Sequence, residues 1–527
     1  MRSAKYILSV GLLVLTVGWS LWHVFCGFGN PMDPFYWLHK YAAMESGWMP
    51  VGTILTGGAV VKLFGYQLLP LRIVGWLCVT AAIALPYCCL LSKEQRYNHL
   101  HWLAIAYGLM GYGAFQEFSP GTLTVFLLSA IWVCAARSIN QKFEITNLKP
   151  AILTAVLAGI AVSVRFPNVL VLLILLPLWR KRSLWLLPVA AASAGLIYLL
   201  GYFFVTPAYM DPCMGSHGLG EMINKMWEDG AKVSGYVLMG IALLIIGRLP
   251  MSNFLSQGND YFKFQIKKEY LSIGLGLLAG AFLIYYVTYV PAVHQWYNWD
   301  LTYMIAALCL VIAFGKYPIG AAILIVAALG TDVGWLKLFP AVLCLLPVAA
   351  VQYEPQMKRY LFPALLGFTA AVMMRFRINS IGDYNLGYCD VESVTRPFEH
   401  IHIRAVDEER IAQYKADYDS ITAVHPSSVL SFGQEIHQIR AVTGCEAALY
   451  NEFWSNIFDS VYTSKYRPVI EAEHPVVFCS FSPKFKTKRT YKDKKSALEN
   501  MLREEGYREI DRSKYKYMIY IYDPEIQ

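Results

Sequence analysis

The sequence predicts a polytopic membrane protein, an all-α bundle of about thirteen transmembrane helices followed by an α/β domain outside the membrane. Three observations carry that reading. Of 527 residues, 56% are hydrophobic and only 16% charged, whereas soluble domains average about 25% charged. Apolar runs of roughly 14–24 residues recur from Tyr6 to Met374, close to the ~20 that cross a hydrocarbon core. Beyond about Arg377 the composition changes to mixed charged and aromatic sequence.

Taken in order, the runs are Tyr6–Phe25, Leu68–Leu91, Leu100–Phe115, Phe118–Ala136, Ala151–Val164, Val169–Leu178 and Leu184–Val205. Val233–Ile246, Leu271–Val290, Leu301–Phe314, Ile319–Leu329, Leu336–Val351 and Leu361–Met374 follow. Aromatic residues crowd the run ends, as in Gln295-Trp296-Tyr297-Asn298-Trp299, where an interfacial belt is expected. The first run follows Arg2 and Lys5, but no small-residue cleavage site follows it, so it reads as a retained span rather than a signal peptide.

The net charge of +8 sits largely in short loops, which argues for membrane orientation rather than nucleic-acid binding. Lys93, Arg96, Lys142, Lys149, Arg180, Lys181, Arg182, Arg248, Lys316, Lys358 and Arg359 fall in alternate loops. The positive-inside rule then places the N-terminus in the cytoplasm and, with an odd number of spans, the tail outside. This divides the chain into a membrane domain, 1–378, and an extracytoplasmic domain, 379–527.

In the tail, Glu408–Tyr418 and Ser496–Glu505 have helical periodicity, and Val429–Phe432, Pro475–Phe481 and Tyr515–Tyr522 read as strands. The basic stretch Lys484–Lys495 reads as a solvated loop or a patch for an anionic ligand. The 11 cysteines contain no C-x-x-C pair and no zinc spacing. Cys88 and Cys89 read as small hydrophobes, while Cys389, Cys445 and Cys479 could supply a disulfide in an oxidising compartment.

Two loops on the outer side are long, 26–67 and 206–232. In the first, Asp33-Pro34 opens a short helix with Asp33 as N-cap and Gly47 as stop. Pro50–Phe64 forms a second amphipathic helix ended by Gly65, and both helices are expected along the membrane face.

Asp33, Pro50-Val51-Gly52-Thr53, Lys62-Leu63-Phe64-Gly65 and Leu69-Pro70-Leu71-Arg72 together resemble the first third of the C-type membrane glycosyltransferases, the GT-C fold. That family includes protein O-mannosyltransferases and the lipid A aminoarabinose transferase. Leu157–Asn168 resembles its short fifth and sixth spans. Two departures stand out: Pro34 follows Asp33 directly, and Arg165 stands where the family often carries Lys.

The resemblance implies sugar transfer from a polyprenyl-phosphate carrier to a glycan, lipid or protein acceptor outside the membrane, with inversion at the sugar carbon. It implies no nucleic-acid partner. Such chemistry needs a carboxylate base and cations for the departing phosphate. Asp33 is the candidate base; the alternative is a plain helix cap. Glu117, in a tight turn, would bind acceptor or sugar, or is an interfacial carboxylate before a Pro-started helix.

Arg165, a cation between two short apolar runs, would hold the phosphate, or snorkel to headgroups. Arg72 would face the same phosphate or pair with a buried carboxylate. His39 and Lys40 would line the same pocket, or are exposed interfacial residues. Asp332 reads as part of a plain turn, and Asp211 and His217 as part of a gating or connecting loop. His400 and His402 have the spacing of one strand face, without the third ligand a metal needs. A divalent metal bridging a carboxylate and the phosphate is compatible with the acidic candidates, although no metal site is expected from the motifs.

No Walker-type loop or nucleophile elbow is present in the sequence. The rival readings are a transporter or flippase of lipid-linked sugars and a non-catalytic scaffold that presents the tail. The first calls for polar relays within spans and internal repeats, and the runs show few carboxylates and no clear repeat.

Overall fold

The computed structural model describes residues 2–26, 33–45, 51–110, 118–140, 149–182, 184–206, 317–329, 338–353, 391–424, 429–433, 470–480, 499–512 and 517–525, with residues 227, 277, 441–442 and 467–468. The helices are α1 (Arg2–Trp22), α2 (Asp33–Ala43), α3 (Val51–Phe64), α4 (Leu68–Leu90), α5 (Lys93–Asn98), α6 (Leu100–Met110) and α7 (Pro120–Asn140). Next come α8 (Lys149–Val164), α9 (Leu170–Arg182), α10 (Leu186–Phe204), α11 (Pro318–Ile325), α12 (Leu338–Tyr353) and, in the tail, α13 (Ala405–Val424).

Four of these stretches are long and apolar enough to cross a membrane: Tyr6–Phe25, Leu68–Leu90, Pro120–Ser138 and Leu186–Phe204. The outward faces of the first and last carry exposed Ile7, Leu8, Val14, Leu15, Leu196, Leu199 and Tyr202. An apolar exterior of that extent is stable only against lipid, and the protein is a multi-pass membrane protein. Five other expected spans coincide with shorter apolar helices. The expected spans at Val233, Leu271, Leu301 and Leu361 lie outside the described residues, as do Asp211, His217, Asp332, Cys389, Cys445 and Lys484–Lys495.

The bundle core shows how the helices are matched. Pro86 interrupts α4; with no N–H, it leaves the carbonyl four residues back without its helical donor. That carbonyl, on Ala82, accepts a hydrogen bond from Ser129 Oγ of α7 at 2.6 Å. Close approach of α8 and α10 depends on Gly159, where a Cβ would lie 2.1 Å from the Ala190 carbonyl oxygen; small residues permit such contacts between helices in lipid. A Ser92 capping box opens α5 and reverses the chain between α4 and α6.

The helices alternate in direction, so Trp22, Leu68, Pro120, Val164 and Phe204 come to one end, where α2 and α3 pack against them. Here the sequence expectation needs one correction. Helix α2 ends at Ala43 through Met44, which has a φ of 53°, rather than at Gly47. The strands β1 (Val391–Glu392) and β2 (His402–Ile403) and helix α13 dock on this end. Phe398, Ile401, Ile403 and Ile411 are fully buried in one core with Phe35, Leu38, Tyr41, Ile54, Leu71 and Phe118.

The remainder of the tail contains a four-stranded mixed sheet of β3 (Val429–Gly433), β4 (Val476–Ser480), β5 (Tyr507–Arg512) and β6 (Tyr517–Tyr522), in the order β3-β4-β6-β5. β3 and β4 are parallel, and the other pairs antiparallel. Strand β5 escapes the sequence reading because a bulge between Glu509 and Asp511 breaks its alternation.

Candidate functional site

The candidate residues come from different stretches of the chain, and hydrogen bonds from α2 and α3 reach the residues next to Arg72 and Arg165. Asp33 is the first residue of α2, about 12 Å along the helix axis from Tyr41 at 1.5 Å per residue. The Tyr41 hydroxyl donates to the Phe118 carbonyl at 3.3 Å. The Phe118 N–H donates to the Leu71 carbonyl at 2.9 Å. Phe118 follows Glu117, which itself lies outside the described residues, and Leu71 precedes Arg72.

On its other side the Tyr41 ring lies against Gly57 of α3, where a Cβ would approach its ring carbon to 2.5 Å. One turn earlier in α3, Thr53 Oγ1 donates to the Val164 carbonyl at 2.9 Å, next to Arg165. The arrangement brings the backbone of Leu71, Phe118 and Val164, and with it that of Arg72 and Arg165, to Tyr41 and Thr53 at the α2/α3 end. Burial pushes the Tyr41 phenol well above its ordinary range, so it remains a neutral donor.

Arg165 is buried, not snorkelling to the membrane surface. It takes an extended conformation before a 3-10 turn, Phe166–Val169. Its Nη1 donates to the Ala327 carbonyl at 2.7 Å, and Nη2 to the Leu329 carbonyl. These carbonyls close a second 3-10 turn, Val326–Ala328, after α11. A guanidinium suits that role because its planar fork meets two acceptors at once and its charge complements the helix dipole. Asn168 secures the same corner from below, with Nδ2 donating to the Ala161 carbonyl at 2.8 Å and to Thr124 Oγ1 at 3.2 Å.

Arg72 is fully buried, and its Nη1 reaches the Val24 carbonyl at 3.5 Å. Of the two readings of Lys40, the exposed interfacial cation does not hold. It is 3% exposed, pairs with Glu45 at 2.9 Å and lies 5.7 Å from the Tyr36 ring centroid. His39 is half-buried. His400 and His402 do not share a strand face: His402 lies on β2, whereas His400 has a φ of 67° in the turn before it and pairs with Glu392.

The tail latches onto this end through backbone and side chains. The Leu68 N–H donates to the Pro397 carbonyl at 3.0 Å, Gln67 Nε2 to Glu399 at 2.9 Å, and the Phe35 and Phe398 rings meet at 5.3 Å. Tyr41, Thr53, Gln67 and Phe398 were not among the sequence candidates. The Gly57-Gly58 pair in an apolar helix was the available signal, since glycine marks a close approach. Among the described residues no three His, Cys, Asp or Glu side chains converge as a metal site.

No family profile matches the chain, and no curated protein matches it. Among solved structures it is similar to ArnT from Cupriavidus metallidurans bound to undecaprenyl phosphate, at 11% identity over 99% of this chain and 98% of that one, with a TM-score of 0.48. The apo state of the same protein gives 12% identity over 98% and 99%, with a TM-score of 0.47. An Archaeoglobus fulgidus oligosaccharyltransferase in complex with Zn and sulfate gives 12% identity over 97% of this chain and 73% of that one, with a TM-score of 0.43. At this level of likeness, the architecture rests on the helices and their contacts described above.

Proposed function

We propose that the protein is an integral membrane glycosyltransferase that moves a sugar from a polyprenyl-phosphate carrier to an acceptor on the extracytoplasmic side of the inner membrane. The observation that carries this reading is the set of hydrogen bonds that ties α2, which Asp33 opens, and α3 to the backbone at Leu71, Phe118 and Val164, beside Arg72 and Arg165, at one end of a lipid-facing bundle. Lys93, Arg96, Arg137 and Lys149 lie at the opposite end, which the positive-inside rule assigns to the cytoplasm.

In this mechanism Asp33 takes the proton of the acceptor hydroxyl or amine as that atom attacks the sugar C1. The bond between C1 and the phosphate oxygen breaks, and the carrier phosphate leaves with the electron pair. Arg72 balances the growing negative charge, which is worth most in a water-poor site. Arg165 spends two N–H groups on carbonyls; it shapes the corner and retains further N–H groups for the phosphate. Glu117 orients the acceptor or sugar. His39 lies between Asp33 and Tyr41 on α2, while Lys40, matched by Glu45, acts on local charge.

The test is sugar transfer in membranes from cells that lack or express the protein, read by mass spectrometry of the lipid, polysaccharide and protein fractions. Expression should restore one glycoform, and Asp33→Asn should abolish it at equal protein level. Full restoration by Asp33→Asn would make Asp33 a helix cap only and defeat the mechanism.

A further inference from the structure

We infer that Trp19, His23 and Arg72 form a subsite for the phosphate group of a lipid, set between α1 and α4 one turn inside the α2/α3 end. His23 lies in the 3-10 turn His23–Phe25 that continues α1, and is 2% exposed. Neither of its ring nitrogens has a hydrogen-bond partner among the described residues. The buried Nε1 of Trp19 is in the same condition. The two rings lie edge to face, with centroids 5.0 Å apart at 88°.

Three orphaned nitrogens in one buried spot are costly, since each unsatisfied group costs about 1–3 kcal/mol. A contact with the neighbouring ring face is second-order and serves at most one of them. A polar guest held by all three removes the cost. The register of the two helices puts a full charge beside it: Trp76 Nε1 of α4 donates to Ser20 Oγ of α1 at 3.0 Å, and one turn along α4 Arg72 reaches the carbonyl of Val24, the residue after His23.

The indole N–H, the single N–H of a neutral imidazole and a guanidinium supply donors and positive charge. The other imidazole nitrogen accepts from a protonated phosphate oxygen. Neither α1, its 3-10 turn nor α4 contains an acidic residue, so no carboxylate of these elements repels an anion. A phosphate on a lipid fits both this chemistry and the depth, near the end of the spans Tyr6–Phe25 and Leu68–Leu90. The phosphate class follows from these side chains; its assignment to a polyprenyl carrier rests on the function proposed above.

The full-length protein in detergent would be titrated with undecaprenyl phosphate, with phosphatidylglycerol and, as the uncharged control, with undecaprenol, binding being read by native mass spectrometry. Trp19→Phe and His23→Phe remove the polar atoms and keep apolar rings, and their thermal stability without lipid should equal or exceed that of the wild type. Each should weaken phosphate-lipid binding by about tenfold or more, because hydrogen bonds to charged groups are worth that much, and should leave undecaprenol unchanged. Loss confined to undecaprenyl phosphate identifies the carrier as the ligand; loss confined to phosphatidylglycerol identifies a bilayer headgroup. Unchanged binding in both variants, as a buried water would give, or an equal loss of undecaprenol, overturns the subsite. If Asp33→Asn abolishes transfer while both variants bind normally, the subsite fails alone. If Asp33→Asn transfers normally while both variants lose the phosphate lipid, the subsite stands without the transferase reading.

Discussion

Gly52→Ala is the sharpest probe of how the site is held, because one methyl group lands where α3 and α8 touch backbone to backbone. The new Cβ would lie 2.6 Å from Ser163 Oγ, 2.9 Å from the Ser163 carbonyl oxygen and 3.1 Å from its carbon. The hydroxyl can rotate away, but the carbonyl cannot, and an ordinary contact requires the helices to part by about 0.5 Å. That shift falls directly on the neighbouring bond from Thr53 to the Val164 carbonyl, 2.9 Å long, and stretches it to about 3.4 Å, the edge of useful geometry. Overpacking of this kind costs about 1–3 kcal/mol, and the weakened bond adds up to about 1 kcal/mol. Unfolding of the purified protein in SDS titrations should therefore show a loss of about 1–4 kcal/mol, and sugar transfer should fall further than stability does. Thr53→Val, which removes the bond without adding bulk, should lose only about 1 kcal/mol. Adding Ser163→Ala to Gly52→Ala should recover little, since the carbonyl overlap persists. Wild-type stability and transfer in Gly52→Ala would refute backbone contact between α3 and α8, and with it the route by which Arg165 is placed.

Arg165→Lys should destabilise the fold by about 2–4 kcal/mol, because an ammonium cannot bridge the Ala327 and Leu329 carbonyls as a fork does; thermal unfolding in detergent checks this, and an unchanged midpoint would contradict the clamp. Phe398→Ala, at a fully buried position, should cost about 3–5 kcal/mol and speed protease cleavage of the tail in intact membranes. Tyr41→Phe, which deletes the bond to the Phe118 carbonyl, should cost about 0.5–1.5 kcal/mol and lower transfer without changing carrier affinity. Asp33→Asn should leave expression and unfolding close to wild type while abolishing transfer.

Helix positions were legible because lipid allows few ways to build a span, and the expected run Leu68–Leu91 differs from α4 by one residue. Local turn chemistry was less so. Gly47 looked like the stop of α2, yet Met44 takes the positive φ, and its backbone carbonyl accepts from Thr206 at 2.8 Å. That tertiary bond fixes the turn whichever residue occupies it. The pairing of Lys40 was hidden because its partner Glu45 sits five residues away in sequence, a spacing no regular helix brings together. For Arg165, the oddity of a cation between apolar runs was visible, but its carbonyl partners at Ala327 and Leu329 come from far along the chain. The same distance hid the tail contact: Phe398, Ile401 and Ile403 stand singly among polar residues, and nothing local names Phe35 or Leu71 as their partners. The step in composition near Arg377 gave no sign of the core shared across it, which follows from packing alone.

The latch also sets an order of assembly. Gln67 and Glu399, joined side chain to side chain, are 332 residues apart. At roughly 5–20 residues per second of synthesis, α2 and α3 emerge about 20–60 s before the segment that covers them. During that interval Phe35, Leu38 and Leu71 lack their final partners, Phe398 and Ile401, and the inserted helices must remain competent while the rest of the chain is made. Maturation of this end is thereby deferred to the last quarter of translation, and chains truncated before Phe398 would present an unfinished apolar surface to the quality-control machinery of the membrane.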